Sequence, residues 1–410
     1  MKKLIISLLV VILVLILGGV FLYSRPIENN EITNEVIEPE ITEPVSNEGL
    51  EEIDAEVIKK EYTDFALLEC ISEEENYMVS PLSLKMALLM AANGAEGKTQ
   101  KEMLDIFKVE DIKKYNEEIN DLIESYNTKE TVELNLANSI WLNKDAAYDI
   151  IFDQEFANLI SEYYEGVANE VTNEDALIKI NTWVEEKTNG KIKNLLDNTD
   201  FLGALINTLY FKGSWANEFS EELTETDEFT NINGKKTEKE FMNKTSRYNY
   251  YEDGTMQMVR IPYRDKDIAM YIALPKGEET LDFTSALENM QNKKINLTIP
   301  KFKVEYKIEL NDILKEFGMR TAFSENAEFG KMFKAKDGAD FYISKVLQQT
   351  FIEIDEKGTE AAAATAVLMN LTSARPMPEE TIDFVANRPF IYFIRDDANN
   401  EILFLGKIVM

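Results

Sequence analysis

The spacing of apolar positions changes partway along this chain, and the change sets the fold class. Apolar residues recur at helical spacing through 62–72, 83–93 and 99–107, which predicts three early helices. The stretch 132–142 alternates like a strand, and 153–162 and 176–188 return to helical spacing. After Leu202 strands dominate: 204–211, 256–262, 269–274, 295–299 and 346–353, interrupted by a helix at 311–317. Residues 384–395 and 402–409 read as two apolar strands joined by the turn signal Asp396-Asp397-Ala398-Asn399-Asn400. Helices early and strands late, with no βαβ rhythm and no internal repeat, predict an α+β domain over residues 58–410.

Two different patterns precede that domain. Met1-Lys2-Lys3 leads into an apolar run over 4–23, broken only by Ser7 and Gly18-Gly19. Residues 1–24 therefore read as a signal peptide or a signal-anchor helix, about the length that spans a bilayer. The run lacks an A-x-A cleavage site, which favours a retained anchor and leaves a cleaved signal open. The lysines hold that end in the cytoplasm, so the rest is expected outside it, anchored or secreted. Residues 25–57 carry Pro26, Pro39 and Pro44 among glutamates and asparagines, with no aromatic residue and no lysine. They read as an acidic, disordered stalk that serves as a spacer.

Charge and two absences narrow the chemistry. The chain holds 75 acidic and 43 basic residues, a net charge of −32, so it repels a phosphate backbone and no nucleic-acid partner is expected. There is no histidine, which excludes Ser–His–Asp and Cys–His catalysis, HExxH zinc chemistry and His-ligated metals. The single cysteine, Cys70, excludes an intramolecular disulfide and lies in an apolar stretch where a buried structural thiol is expected. No metal or cofactor is expected. Paired carboxylates can catalyse without histidine, but among 75 acids a suggestive pair carries no information. A membrane-tethered carboxylate enzyme is therefore a distant alternative, and the chain reads as a non-enzyme.

One segment stands apart. Between the strand at 346–353 and the strand starting near Asp383 runs Glu356-Lys357-Gly358-Thr359-Glu360-Ala361-Ala362-Ala363-Ala364-Thr365-Ala366-Val367-Leu368-Met369, followed by the polar tip Asn370-Leu371-Thr372-Ser373-Ala374-Arg375-Pro376-Met377-Pro378. By propensity 359–369 is a short helix capped by Thr359. At period two, Thr359, Ala361, Ala363 and Thr365 instead share one face, and every one is small. Such a strand enters a packed sheet without a clash. Both readings stand on the residues alone.

The stretch from Glu356 to Thr365 resembles the hinge of inhibitory serpins. Similar blocks follow in family order over about 350 residues. They are Asn76-Tyr77-Met78-Val79-Ser80-Pro81-Leu82-Ser83 with Asn93-Gly94-Ala95, Asn181-x-Trp183-Val184 with Thr188-Asn189-Gly190-Lys191, Asn207-Thr208-Leu209-Tyr210-Phe211-Lys212-Gly213-Ser214-Trp215, Ile299-Pro300-Lys301-Phe302, and Asn387-Arg388-Pro389-Phe390 through Leu403-Phe404-Leu405-Gly406-Lys407. The resemblance implies three β-sheets with about nine helices and an exposed reactive-centre loop. It also implies an irreversible inhibitor of serine-type endopeptidases: the peptidase attacks the loop, forms an acyl-enzyme in a covalent 1:1 complex, and is trapped as the hinge inserts into the central sheet.

On the same basis Gly358 lets the loop root turn, while Thr359, Glu360, Ala361, Ala362, Ala363, Ala364 and Thr365 enter the sheet. Counting from Gly358 puts the reactive bond at Thr372–Ser373. Counting back from Pro389-Phe390 gives a later bond, near Ala374–Arg375; Arg375 itself would suit a trypsin-like pocket, but Pro376 follows it, and a tertiary amide on the leaving side is a poor substrate, which favours Thr372–Ser373. A small uncharged residue at the cut implies an elastase-like or subtilisin-like target. Where inhibitory serpins often have a histidine beneath the sheet opening, this chain has Gln348. The resemblance groups it with Ser80, Ser83 and Asn207 as a sheet-opening cluster, and equally as a satisfied polar core cluster, with no imidazole to titrate. Trp215 is expected near the point where the loop enters, or as core packing. The protein is expected to be a monomer. A non-inhibitory serpin acting as a binding or chaperone protein is the alternative.

Overall fold

The computed structural model describes residues 60–71, 74–146, 150–335, 341–359 and 380–410, all within the compact unit 58–410. The apolar run 4–23, the stalk and residues 360–379 lie outside the described residues. Among the described residues no helix is long and apolar enough to cross a membrane.

Strands are numbered in chain order. The largest sheet holds β1 (Tyr77–Val79), β6 (Glu225–Thr230), β7 (Lys236–Glu252), β8 (Met256–Pro262), β9 (Ile268–Pro275), β10 (Gln291–Pro300), β15 (Ile382–Val385), β16 (Phe390–Asp396) and β17 (Glu401–Ile408). Their order is β1-β17-β16-β9-β8-β7-β10-β15, with β6 also on β7. The central sheet holds β2 (Val132–Asn143), β4 (Val167–Val171), β5 (Gly203–Ser214), β11 (Phe302–Glu309), β13 (Lys345–Ile354) and β14 (Gly358–Thr359). It is ordered β11-β13-β14-β5-β2-β4, with β13 and β5 also paired directly. A third sheet pairs β3 (Ile150–Phe152) with β12 (Phe333–Ala335). Eight α-helices accompany them among the described residues, so the fold is α+β with three sheets.

The inner strands β5 and β13 of the central sheet are buried on both faces because their residues alternate between two cores. Leu205, Leu209 and Phe211 of β5 and Val346, Ile352 and Ile354 of β13 join the large core. The alternate residues Ala204 and Ile206 of β5 and Leu347 and Phe351 of β13 join a small separate core. There they meet Ile180 and Val184 of the helix Ala176–Lys187. The helix Pro81–Ala92 lies in the large core and is apolar on nearly every side, as a helix surrounded by protein must be. Pro81 sits in its first turn, and the Ser80 hydroxyl caps it by accepting from the Ser83 N–H at 3.1 Å.

Several expectations need correction. The helix read over 62–72 is only a 3-10 turn, Asp64–Ala66, and one turn of α-helix, Leu67–Cys70, because Ile71 is extended and buried. The helix Ile112–Asn127 was not read, since its buried Tyr115, Ile119, Ile123 and Tyr126 are diluted by charged neighbours. The β6–β7 ribbon was missed for a similar reason: much of it is exposed and its side chains are charged. The single strand read over 384–395 is two, β15 and β16. Cys70 is only partly buried; its Sγ lies 3.4 Å from Lys60 Nζ, and burial pushes the thiol pKa up.

Candidate functional site

The parallel strands β5 and β13 meet along a seam. They pair from Lys345 opposite Ala204 up to Thr350 opposite Leu209. Above that point the chain leaves β13, turns through Asp355-Glu356-Lys357, and returns as β14 between the two strands. Thr359 pairs with Ile354 on one side and Gly213 on the other, and Gly358 pairs with Ser214.

The turn is held from inside. Asp355 Oδ1 accepts from the N–H groups of Lys357 at 2.8 Å and Gly358 at 3.1 Å, and the Asp355 N–H donates to the Gly358 carbonyl at 3.0 Å. Gly358 has φ +149°, and a Cβ there would lie 2.1 Å from the Gly213 carbonyl oxygen, so only glycine fits. Neighbouring groups then fix the turn in place. The N–H of Trp215 donates to the Lys357 carbonyl at 2.9 Å, and its indole N–H donates to the Asp355 carbonyl at 2.9 Å. The Phe219 N–H donates to the Glu356 carbonyl at 2.8 Å. Trp215 is fully buried and stacks on Tyr263, with ring centroids 4.6 Å apart. The Tyr263 and Thr359 hydroxyls share a 2.7 Å hydrogen bond in the interior.

Glu356 is largely buried. Its Oε1 accepts from the Thr224 hydroxyl at 2.7 Å and lies 3.5 Å from Lys301 Nζ, which is also 3.4 Å from Glu240. Burial pushes the Glu356 pKa up, but the Thr224 hydroxyl, a backbone N–H and the Lys301 charge outweigh it, so the pKa is lowered.

Lower on the seam, on the large-core side, lies a cluster of neutral polar groups. Gln348 and Asn207 are direct cross-strand partners, and Gln348 Nε2 donates to Asn207 Oδ1 at 2.7 Å. Gln348 also accepts from the Ser80 N–H at 2.7 Å and donates to the Ser80 carbonyl at 3.1 Å. Asn207 Nδ2 donates to the Ser83 carbonyl at 2.8 Å, to the Ser83 hydroxyl, and to Asn138 Oδ1 at 2.5 Å. Thr350 donates to the Met78 carbonyl at 2.6 Å. Ser80, Ser83, Asn138, Asn207, Gln348 and Thr350 are all at most 1% exposed.

The structure brings Ser80, Ser83, Asn207 and Gln348 together beneath the seam and sets Trp215 apart from them, at its open end beside Glu356, Gly358 and Thr359. Thr359, which a helix reading would use as a cap, is instead a strand residue. Glu360, Ala361, Ala362, Ala363, Ala364 and Thr365, and the bond residues Thr372, Ser373, Ala374 and Arg375, lie outside the described residues. Sequence reasoning missed Tyr263, Thr224, Lys301, Asp355 and Asn138. Only Asp355 left a local signal, an Asx-turn residue three before a glycine. The others are remote in sequence and are joined to the hinge only by the fold.

The family model for Serpin (serine protease inhibitor) matches residues 62–410. An uncharacterized serpin-like protein of Methanosarcina mazei is 33% identical over 359 residues, 82% of this chain and 81% of that protein. Human Serpin B4 is 31% identical over 377 residues, 82% of this chain and 94% of its own length. The native-state crystal structure of the thermophilic serpin Tengpin superposes with a TM-score of 0.75 at 31% identity, covering 83% of this chain and 90% of that one. The chain belongs to the serpin family.

Proposed function

We propose that this protein is a single-use, irreversible inhibitor of serine-type endopeptidases rather than an enzyme, with an elastase-like or subtilisin-like target. The observation that carries the reading is the seam: two parallel strands paired below, and the root of the loop already seated between them above.

The β14 register supports it further. Continued without a bulge, that register sets Ala361 opposite Phe211 and Ile352, Ala363 opposite Leu209 and Thr350, and Thr365 opposite Asn207 and Gln348. All of these point to the large core, where only small residues enter without displacing others. Parting β5 and β13 to admit a strand takes them from about 4.8 Å to roughly 9–10 Å apart. The Asn207–Gln348 bond must then break, and the Thr365 hydroxyl, both donor and acceptor, arrives between its two halves. The inserted strand makes two ladders where the closed sheet has one, each new hydrogen bond contributing about 1 kcal/mol. Insertion is therefore downhill, and the native sheet is held kinetically.

In the reaction, the peptidase serine oxygen adds to the Thr372 carbonyl carbon and its proton passes to the peptidase's base. The Thr372–Ser373 C–N bond breaks, the new amine of Ser373 takes that proton, and Thr372 remains as an ester on the serine. Insertion of 359–369 then drags the ester-linked peptidase along the sheet before water can cleave the ester. On the same reading the protein acts outside the cytoplasm as a monomer, tethered or released through residues 4–23.

The test is to mix the protein separately with elastase, subtilisin and trypsin and to read denaturing gels with the mass of the released C-terminal peptide. A band at the summed mass, with a peptide beginning at Ser373, supports mechanism and bond together. A peptide beginning at Arg375 moves the bond and keeps the mechanism. Cleavage with no covalent band for any of the three sinks the inhibitory reading in favour of a non-inhibitory serpin.

A further inference from the structure

The large sheet carries a polar cavity away from the seam. Pairing sets Asn292 of β10 opposite Asn249 of β7, and Asn249 opposite Arg260 of β8, so the three side chains share one face. Arg247, two residues from Asn249, lies on that face too, and Lys294 stands opposite it. Arg247, Asn249, Arg260 and Asn292, with Ser246 and Asn217, line a cavity of about 160 Å³. In a chain with 75 acidic residues, two of the eight arginines line it and none of the described acids does. Its volume falls below the roughly 300–1,000 Å³ that holds a drug-sized molecule, so it suits a small ion.

The charge beside the cavity is positive. Arg260, Arg395 and the Tyr271 hydroxyl all donate to one carboxylate, Asp397, so a single negative charge answers two guanidinium groups. Glu218, next to Asn217, is engaged by Arg264 at 2.7 Å. Arg260 donates through Nε to Asp397 at 2.8 Å and through Nη2 to the Lys266 carbonyl at 2.6 Å, which leaves further N–H donors of its fork unused. The amides of Asn217, Asn249 and Asn292 and the Ser246 hydroxyl bond to no other described residue. A carboxylate offers about four lone-pair sites, fewer than these donors. A tetrahedral oxyanion accepts more and still pairs bidentately with arginine. We propose that this cavity is a binding site for a tetrahedral oxyanion, phosphate or sulfate, either free or as the end of a larger molecule. Arg247 and Arg260 supply the charge, and Asn249 and Asn292 fix the orientation. The site is independent of the inhibitory reading, since neither β5, β13 nor β14 contributes to its lining.

The test titrates inorganic phosphate, sulfate, acetate and glycerol 3-phosphate into the whole protein, with chloride holding the ionic strength constant. Calorimetry follows binding, and the thermal unfolding midpoint follows its effect on the fold. Phosphate and sulfate should bind at a single site and raise the midpoint in a saturable way. Arg247→Gln removes an exposed side chain and should leave the midpoint without phosphate unchanged. It should weaken phosphate binding about tenfold, the loss expected for a charge-assisted hydrogen bond. Asn249→Asp, which sets a carboxylate in the row, should weaken it at least as much. Lys113→Gln, which removes an exposed charge from the helix Ile112–Asn127, should leave the affinity at the parent value. Glycerol 3-phosphate binding more tightly than phosphate would put the anion on a larger molecule, and weaker binding would make the free ion the ligand. Acetate binding as tightly as phosphate would overturn the proposal. So would parental affinity in both Arg247→Gln and Asn249→Asp, or an equal loss in Lys113→Gln.

Discussion

The two ends of the seam between β5 and β13 are built from different chemistry. At the open end the hinge is held by backbone carbonyls, an Asx turn, and the largely buried Glu356 carboxylate beside the part-exposed Lys301. Lower down, the strands are tied by neutral amides and hydroxyls buried from solvent. Charge is affordable where water can share it and costly where it cannot. On the proposed insertion, the open end sets where a strand begins and the amide cluster sets how hard it is to continue. The difference can be broken or sharpened by substitution at each end.

The largest effect is expected from Thr365→Arg. A guanidinium brought between Asn207 and Gln348 has no anionic partner there, and an unpaired buried charge costs several kcal/mol. The tip should still be cut, while covalent complex on a denaturing gel falls at least about a hundredfold; undiminished complex would refute the register. Next is Asn207→Ala, which strips Gln348, Ser83 and Asn138 of a shared partner and should lower native stability by about 2–3 kcal/mol. Its unfolding midpoint should drop by several degrees. Combined with Gln348→Ala, the loss should be less than additive, and strict additivity would mean the pair is not coupled.

A titration outside both regions serves as the control. Asp64 is pushed up to about 6, first by burial and then by the Glu401 charge, with Lys85 and a hydrogen bond from Tyr62 opposing. The folded protein therefore holds that proton more tightly than the unfolded chain, whose value is near 4. Stability falls as pH rises from about 4 to 6 and then levels, by about 2–3 kcal/mol from this group. Asp64→Asn should flatten that slope in pH-dependent unfolding curves, and a slope left intact would assign it elsewhere. The smallest effect is Glu356→Gln, which keeps the Thr224 contact and loses the Lys301 attraction. Its cost should be about 1 kcal/mol, because Lys301 is part-exposed and solvent shares its charge when the carboxylate is neutralised. The Glu356 pKa is lowered, so its contribution is present at neutral pH and fades as pH falls through the acid range below the ordinary glutamate value.

What could be read from the residues divides along physical lines. The apolar runs of β5 and β13 are local patterns and were legible as strands, whereas the small residues after Gly358 fit a short helix and an insertable strand alike, and only resemblance favoured the strand. The meeting of Ser80 with Gln348 spans 268 positions and came only from resemblance, because no local rule relates those residues. Tyr263 and Thr224 were invisible for the same reason, as their roles depend on which loop crosses the end of the sheet. The helix Ile112–Asn127 and the β6–β7 ribbon failed for another: both lie at the surface, where polar residues blur the period.

The fixed register at Gly358 and Thr359 also bears on how such a protein diversifies. On the proposed insertion, the register of Thr359 continued along the loop would give each position up to Leu368 a neighbour on both β5 and β13, so gaining or losing one residue would misplace all that follow. On the same insertion, the strand would run past the start of β5 at Gly203 beyond Met369, where that register offers no further pairing. Residues 370–379 can therefore change in both identity and length while the hinge keeps its length. On the proposed function, a lineage built this way can exchange the target it recognises without redesigning the device that captures it.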